Sequence, residues 1–155
     1  MPKLSAGILL YRAPQGAVEV LLVHPGGPFW AKRDLGAWSI PKGEYEPGQD
    51  PLGAALREFQ EETGHEPPGD GLVELGTIRQ RSGKVLTVWA AAGDLDPETV
   101  VSNRFTMEWP PRSGVQQEFP EIDRAGWFDP ETARAKLLAA QAELVDRLLE
   151  ALDHR

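Results

Sequence analysis

The sequence predicts an α/β layered domain, and the hydrophobic pattern supports this in two ways. Short segments dense in Ile, Leu and Val are separated by turn residues, which is typical of β-strands. Two longer segments, one central and one C-terminal, repeat their apolar residues at helical spacing instead. Strands mixed with helices pack as layers around one core. Because 155 residues is about the length of one domain, we expect residues 1–155 to form a single domain.

The first half of the chain contains three predicted strands and one predicted helix. A loop rich in Gly and Pro covers residues 25–37, between the second and third strands. Asp50 is a favourable N-cap and Pro51 suits the first helical position, so the helix begins there. Gly64 is the expected end of the helix. The predicted strands cover residues 5–12, 18–24 and 38–40.

The second half is predicted to hold a hairpin, two further strands and a long helix. Ser82 and Gly83 supply the hairpin turn. Residues 110–120, which begin with two prolines, are expected to be a loop. Leucines from Leu137 to Leu152 recur at helical spacing, which predicts helix within residues 131–152. The predicted strands are residues 72–81 and 84–92 for the hairpin, then 104–109, and an edge strand at 125–128.

Composition excludes several classes of protein. The chain has 16 Lys and Arg against 24 Asp and Glu, a net charge of −8, which disfavours a general nucleic-acid binder. The absence of Cys excludes disulfides, thiolate zinc sites and thiol nucleophiles. No apolar run approaches the roughly 20 residues of a membrane span, and the N-terminus lacks a signal sequence. We therefore expect a cytoplasmic protein without a membrane partner. The oligomeric state stays open, with a homodimer among the alternatives.

The central helix carries three carboxylates on one side. Its predicted core face is apolar except for one Thr and consists of Leu52, Ala55, Leu56, Phe59 and Thr63. Glu58, Glu61 and Glu62 share the adjacent side, where like charges at this spacing destabilise a helix unless a cation lies between them. Oxygen ligands select hard cations, so we expect Mg²⁺, with Mn²⁺ as the alternative. Arg57 precedes Glu61 by four residues and is expected to hold it by a charged hydrogen bond. A solvated acidic face is the other interpretation.

The residues around this helix have a characteristic spacing. Gly43 is followed, thirteen residues later, by the sequence REFQEETG at residues 57–64. This resembles the Nudix box, G-x5-E-x7-R-E-U-x-E-E-x-G-U, in which U is apolar. Two positions differ, because Gln49 stands where the family has Glu and His65 where it has an apolar residue. Residues 38–44 also resemble the strand and loop that lead into the box.

The resemblance implies both a fold and a reaction. The implied fold is an α/β/α sandwich with a mixed sheet, in which the box forms a loop–helix–loop. The implied reaction is Mg²⁺-dependent hydrolysis of a diphosphate linkage in a nucleoside polyphosphate, either a nucleoside triphosphate or a dinucleoside polyphosphate. In the family, carboxylates at the positions of Glu58 and Glu62 bind the metals, usually with Glu61 and the carbonyl of Gly43. A glycine also suits a backbone that approaches a metal closely, because a Cβ atom would obstruct it.

Three further residues are predicted to bind the substrate. Lys42, beside Gly43, is expected to contact a phosphate as a point charge. Arg33 lies in the loop upstream, next to Trp30, and is a candidate for gripping distal phosphates. Trp109 is a candidate for stacking on a base. For each of them, an ordinary surface side chain is the alternative.

A late carboxylate is expected to supply the proton acceptor or an extra metal ligand, as it often does in the family the box resembles. Glu118 and Glu121 lie in the candidate loop. We favour Glu118, because Gly114 and two glutamines before it suggest a loop that bends over the pocket, whereas Glu121 leads into the next strand. Glu61 is the next candidate for the base. No role is assigned to the three histidines.

Three functions remain open at this stage. The first is a Nudix hydrolase that cleaves a small nucleotide substrate. The second is a Nudix-fold module that binds a nucleotide, or regulates through one, without turnover; the missing carboxylate at Gln49 favours it. The third is an acidic interaction domain without metal. The three helix glutamates favour the enzyme.

Overall fold

The computed structural model describes residues 3–153, which form eight strands and three helices. Three short 3-10 turns complete the regular structure of the described residues. The strands are β1 (Leu4–Arg12), β2 (Glu19–Pro25), β3 (Lys42–Tyr45), β4 (Val73–Arg79), β5 (Val85–Ala92), β6 (Arg104–Glu108), β7 (Gln116–Pro120) and β8 (Ile122–Phe128). The helices are α1 (Pro51–Thr63), α2 (Pro130–Lys136) and α3 (Glu143–Asp153).

A mixed six-stranded sheet lies at the centre of the fold. Its order is β4-β5-β1-β2-β8, with β3 also paired to β1. Strand β1 is parallel to β5 on one side and antiparallel to both β3 and β2 on the other. Residues 4–7 of β1 pair with β3, whereas only residues 11 and 12 pair with β2. Between these two stretches of β1, the Ile8 amide donates a hydrogen bond to the carbonyl of Pro41 at 3.1 Å. At this point β2 and β3 separate, so that each pairs with a different part of β1.

Helices cover both faces of the sheet, which confirms the α/β/α sandwich. Alternate residues of a strand point to opposite faces, and β1 divides its apolar residues accordingly. Ile8 and Leu10 belong to the core beneath α1, whereas Leu9 and Tyr11 belong to the core beneath α2 and α3. The α1 side is closed by Ala54, Ala55 and Phe59, and the opposite side by Leu137, Leu144, Val145 and Leu148. No helix among residues 3–153 is long and apolar enough to span a membrane.

The boundaries of α1 follow the predicted capping residues. The Asp50 carboxylate accepts a hydrogen bond from the Gly53 amide at 3.2 Å, and Pro51 occupies the first turn. At the other end Gly64 adopts a φ of 76°, and its amide donates to the carbonyl of Gln60. Glycine takes this left-handed conformation without the steric cost that a Cβ atom brings. The predicted hairpin is also present, as β4 and β5 around Gly83.

The prediction of one C-terminal helix is wrong in its middle. Leu138 is extended, with φ −48° and ψ 136°, and separates α2 from α3. Leu137 forms a bridge to Trp38, and the Leu138 amide donates to the carbonyl of Trp38 at 2.9 Å. The buried Gln141 side chain accepts a hydrogen bond from the Ile40 amide at 3.0 Å. These long-range bonds outweigh a local preference for helix.

Two strands were missed, and a third was predicted where only bridges occur. Residues 116–120, predicted as loop, form β7, which pairs with β6 and brings Phe119 opposite Phe105. Their polar side chains hide the strand in the sequence, because no alternating apolar pattern marks it. The short β3 also lacks such a pattern. Residues 38–40 contact β2 through a single bridge between Ser39 and Val23 rather than as a strand.

Candidate active site

The helix α1 places three glutamates along the side next to β3. Glu58 is well shielded, with 16% of its side chain exposed, whereas Glu61 is 43% exposed. Glu62 is half-buried. The three positions therefore differ in access to water, although the sequence pattern treats them alike.

Glu62 contacts the strand directly. The Lys42 backbone amide donates a hydrogen bond to Glu62 Oε1 at 3.1 Å. Burial raises the pKa of Glu62 to about 8, and the nearby charges of Glu58 and Glu121 add to this rise, against the opposing effect of Lys42. Burial likewise lowers the pKa of the Lys42 ammonium, while the charge of Glu62 opposes the change. The pair therefore consists of two groups that the protein removes from water together.

Gly43 makes room for Glu58. A Cβ atom at Gly43 would lie 2.0 Å from Glu58 Oε2, which is far inside van der Waals contact. The carboxylate thus lies against the backbone of β3 where only glycine fits. Burial and then the charge of Glu61 raise the pKa of Glu58, while Arg57 opposes both.

Arg57 lies between two of the glutamates. Its Nη2 is 3.4 Å from Glu58 Oε1, and its Nε is 3.8 Å from Glu61 Oε1. The predicted contact with Glu61 is therefore present as a loose ion pair, and the hydrogen bond is made to Glu58 instead. A guanidinium in this place holds both side chains near their common site.

The two late carboxylates have different surroundings. Glu118 lies on β7, is 60% exposed and forms an ion pair with Arg104 at 2.6 Å. Glu121 lies between β7 and β8, and its charge acts on both Glu58 and Glu62. Partial burial, followed by the charge of Glu61, raises the pKa of Glu121. The structure thus brings Glu121 to the helix glutamates and ties Glu118 to its own hairpin.

A small cavity of about 180 Å³ adjoins these carboxylates. Its polar lining includes Ser39, Lys42, Glu62 and Glu121, and its apolar lining is Val23, Pro25, Trp30, Ala37, Ile122 and Leu138. We call it the glutamate pocket. It brings the predicted Lys42 together with Trp30, the aromatic neighbour of Arg33 in the loop upstream.

The other predicted substrate contacts lie against aromatic neighbours. The Arg33 guanidinium lies over the Trp30 ring, 5.6 Å from its centroid. Trp109 makes an edge-to-face contact with the exposed Phe29, with ring centroids 5.6 Å apart. Neither Arg33 nor Trp109 belongs to the lining of the glutamate pocket.

The two departures from the box have local roles. The Gln49 side chain accepts a hydrogen bond from the Glu46 amide at 2.8 Å, which closes the turn before α1. His65 contacts Thr99 at 2.8 Å, beyond the C-terminal end of α1. Both side chains serve to attach loops in this structure.

One functional candidate was missed altogether. His24 is completely buried at the end of β2, and its ring lies between the Asp123 carboxylate and the Arg33 carbonyl. A histidine in an apolar strand carries no sign of these partners, because Asp123 lies 99 residues away along the chain and the Arg33 carbonyl is a backbone group that every residue has.

The donor set fits a hard divalent cation in its chemistry. All the side chains concerned are oxygen donors, and their mutual repulsion raises the pKa of Glu58, Glu62 and Glu121 beyond the effect of burial. Gly43 lets the Glu58 carboxylate lie against the backbone of β3. Within residues 3–153, no three His, Asp or Glu side chains converge in a preformed metal cage. The metal ligands therefore stand as a proposal.

Comparison with known proteins finds one family model that spans nearly the whole chain and several partial relatives. A family model described as NUDIX domain matches residues 1–148. A protein named octanoyltransferase from Myxococcus xanthus is 33% identical over 137 residues, 88% of this chain and 33% of that protein. An asymmetrical bis(5'-nucleosyl)-tetraphosphatase from Caenorhabditis elegans is 38% identical over 58 residues, 37% of this chain and 38% of that protein. An RNA pyrophosphohydrolase from Rhodospirillum rubrum is 42% identical over 66 residues, 41% of this chain and 38% of that protein.

The matches thus span at most about two fifths of these relatives' own lengths. Among solved structures, an Ap4A hydrolase complex from C. elegans aligns with a TM-score of 0.66 at 23% identity, covering 97% of this chain and 99% of that chain. The NUDIX domain of Shewanella oneidensis NrtR, complexed with ADP ribose, aligns with a TM-score of 0.65 at 18% identity, covering 98% and 89%. At these identities the structural similarity shows the fold.

Proposed function

We propose that this chain, which belongs to the NUDIX domain family, is a metal-dependent hydrolase that cleaves a phosphoanhydride bond of a nucleoside polyphosphate. The observation that carries the proposal is the group of interacting carboxylates Glu58, Glu61, Glu62 and Glu121. Glu62 and Glu121 line one pocket together with Lys42, and Glu58 lies against Gly43. A binding module has no need of four crowded carboxylates, because their repulsion costs stability.

Each group has a role in this proposal. Glu58, Glu61, Glu62 and the carbonyl of Gly43 are the proposed metal ligands. When bound, a divalent cation supplies positive charge against the phosphate oxygens and promotes ionisation of water. Arg57 holds Glu58 and Glu61 in place through the contacts described above.

The proton acceptor is assigned to Glu121 in place of Glu118. A base must lie at the pocket that holds the reacting water, and Glu121 lines the glutamate pocket. Glu118 is engaged by Arg104 instead. Glu61 is the most exposed of the three helix glutamates and is the next candidate for the base.

Lys42 is the proposed phosphate ligand. Its side chain lines the glutamate pocket, and a partly desolvated ammonium attracts an anion more strongly than one in water does. A cavity of about 180 Å³ is smaller than the pockets that enclose a drug-sized ligand, so it receives only one part of a nucleotide. Arg33 and Trp109 are proposed to contact the parts that extend beyond it.

The substrate class is proposed as a nucleoside triphosphate or a dinucleoside polyphosphate. The printed names of two relatives, a tetraphosphatase and an RNA pyrophosphohydrolase, support a polyphosphate substrate. The experiment is a screen of nucleoside triphosphates, dinucleoside polyphosphates, nucleotide sugars and dinucleotides with Mg²⁺ or Mn²⁺, with products identified by mass. Metal-dependent release of a nucleotide product by the wild type, and not by Glu62→Gln, supports the proposal. Saturable nucleotide binding without any product supports the non-hydrolytic module instead.

A further inference from the structure

We infer that His24 is a positioning residue that holds the two walls of the glutamate pocket in register, an inference that rests on the proposed function. His24 has no exposed surface. Its chain neighbours Val23 and Pro25 line the glutamate pocket, so His24 lies behind the pocket wall. Each ring nitrogen faces a different wall. The two contacts join β2 to the loop before β3 and to the start of β8.

The first contact holds the loop that carries Trp30. His24 Nε2 donates a hydrogen bond to the carbonyl of Arg33 at 2.6 Å. The Arg33 amide in turn donates to the carbonyl of Trp30 at 2.9 Å. Trp30 lines the glutamate pocket, so this bond fixes the apolar wall.

The second contact holds the strand that follows Glu121. His24 Nδ1 lies 2.8 Å from Asp123 Oδ1, within hydrogen-bond distance. The pairing of β2 with β8 shifts register at this point, since His24 lies opposite Arg124 and Pro25 opposite Ile122. Asp123 is the extra residue of this bulge, and bulges redirect a side chain. Arg124 Nε lies 3.7 Å from the same carboxylate oxygen.

The backbone next to Asp123 is fixed at Glu121. The Gly26 amide donates to the carbonyl of Glu121 at 2.8 Å, and the Glu121 amide donates to Asn103. A Cβ atom at Gly26 would lie 2.0 Å from the carbonyl oxygen of Pro120, so only glycine permits this approach. The bulge and these bonds together set where the Glu121 carboxylate enters the pocket.

The geometry separates the two contacts in a way that substitutions can follow. Asparagine places its amide near the Nδ1 position, and glutamine places its amide near the Nε2 position. His24→Asn therefore keeps the contact with Asp123 and loses the one with Arg33. His24→Gln keeps the contact with Arg33 and loses the one with Asp123.

The experiment measures kcat and KM of both variants on the best substrate of the screen. Small displacements of positioned groups cost large factors in rate, so we expect His24→Gln to lose about tenfold or more in kcat with KM little changed. His24→Asn is expected to raise KM about tenfold with a smaller change in kcat. Asp123→Asn retains an oxygen acceptor for Nδ1, and is expected to rescue most of the kcat that Asp123→Ala loses.

Two controls separate positioning from general stability. Leu148→Ala removes a buried side chain of α3 from the core beneath α2 and α3 and therefore lowers stability. Leu148 does not line the glutamate pocket. His65→Asn changes a histidine that lies outside the pocket lining. Equal changes of kcat and KM in both His24 variants, or changes reproduced by Leu148→Ala, overturn the inference.

A nucleotide-free measurement keeps this test independent of the proposed function. In hydrogen exchange, His24→Asn should accelerate the Arg33 and Ala37 amides, and His24→Gln the Glu121 amide, by about tenfold. Uniform acceleration across both segments in either variant contradicts the inference. If the wild type hydrolyses nothing in the screen, the proposed function fails, and the exchange pattern alone decides the role of His24.

Discussion

Glu118 and Glu121 lie three residues apart on either side of Pro120, yet they occupy two opposite electrostatic environments. On the β6–β7 hairpin, Glu118 is exposed and neutralised by Arg104. Just before β8, Glu121 is also exposed but lies near the helix glutamates, and partial desolvation and then the charge of Glu61 raise its pKa. The comparison teaches that the protonation and reactivity of a carboxylate depend on the elements that meet around it. An ion pair on a solvent-exposed hairpin contributes little to stability and leaves the carboxylate as a surface group.

The largest expected effect comes from removing the carboxylate whose pKa is raised to about 8. Glu62→Gln keeps the volume and an acceptor for the Lys42 amide but removes a charge and a proposed metal ligand. We expect kcat to fall by roughly 10²–10³-fold, measured at saturating Mg²⁺ in a steady-state assay. Glu131→Gln on α2 is the charge-matched control, since Glu131 is exposed on another element. Wild-type turnover in Glu62→Gln would remove Glu62 from the site.

The second prediction tests the comparison itself. Glu121→Gln is expected to lose roughly 10²-fold in kcat, the size typical of a general base, with substrate binding retained. Glu118→Gln should stay within about twofold, because an exposed pair with Arg104 is all that it loses. Both variants are to be assayed across pH at saturating metal. The reverse order of the two losses would restore Glu118 as the base, and no loss in either would pass the role to Glu61.

The third prediction concerns the close approach at Gly43. In Gly43→Ala the added methyl group meets the Glu58 carboxylate, which must then leave its place against β3. We expect about a tenfold rise in the metal concentration needed for half-maximal activity, an effect of the size of a lost supporting contact in a metal site. Gly69→Ala is the matched control, because nothing lies within 4 Å of its added Cβ. Equal metal dependence in the two variants would show that the Glu58 carboxylate tolerates a Cβ atom at residue 43.

The fourth prediction is a pH dependence of the metal-free protein. The folded-state pKa of Glu62, about 8, lies above its ordinary value of 4.5, so the folded state binds more protons between these values. The stability due to protonated Glu62 is therefore complete below about pH 4.5 and declines as pH rises through about 8. In EDTA at pH 8.5, Glu62→Gln should gain about 1 kcal/mol or more in the free energy of unfolding. Urea denaturation of both proteins at pH 5.5 and 8.5 measures it, and a less stable variant at pH 8.5 would assign Glu62 a structural role.

The smallest expected effect is at Gln49. Gln49→Glu restores the carboxylate of the box, yet the carboxylate also accepts the hydrogen bond from the Glu46 amide. We expect Mg²⁺ binding to be unchanged or tighter by no more than about threefold, since the residue lies in an exposed turn. Isothermal titration with Mg²⁺ measures it. Loss of activity in this variant would mean that the amide has a role of its own.

Much of the fold follows from local signals in the sequence. The limits of α1 were predictable because Asp50 and Gly64 act on their own neighbours. The C-terminal helix was not, because Leu137 and Leu138 pair with Trp38, about a hundred residues away. A periodicity measured along the chain carries no information about such a partner. Strand β7 was not predicted for a related reason, since its pairing with β6 is made by backbone groups that every residue has.

The candidate site was predictable in its motif and not in its surroundings. Helical spacing indicated the three glutamates, and the resemblance to the Nudix box added Gly43. The choice between Glu118 and Glu121 depended on which face of two paired strands meets α1, and no local pattern encodes that. His24 was missed for the same reason, because its partner Asp123 lies 99 residues away along the chain.

The break between α2 and α3 affects the order in which the parts of the glutamate pocket are completed during synthesis. A ribosome completes the N-terminal portion first, so the box glutamates emerge well before residues 137–141. Leu138 completes the pocket wall, and Gln141 satisfies the Ile40 amide. A nascent chain that ends before this segment carries the acidic helix but not the complete glutamate pocket. The pocket is therefore completed late in synthesis, when the last helix docks.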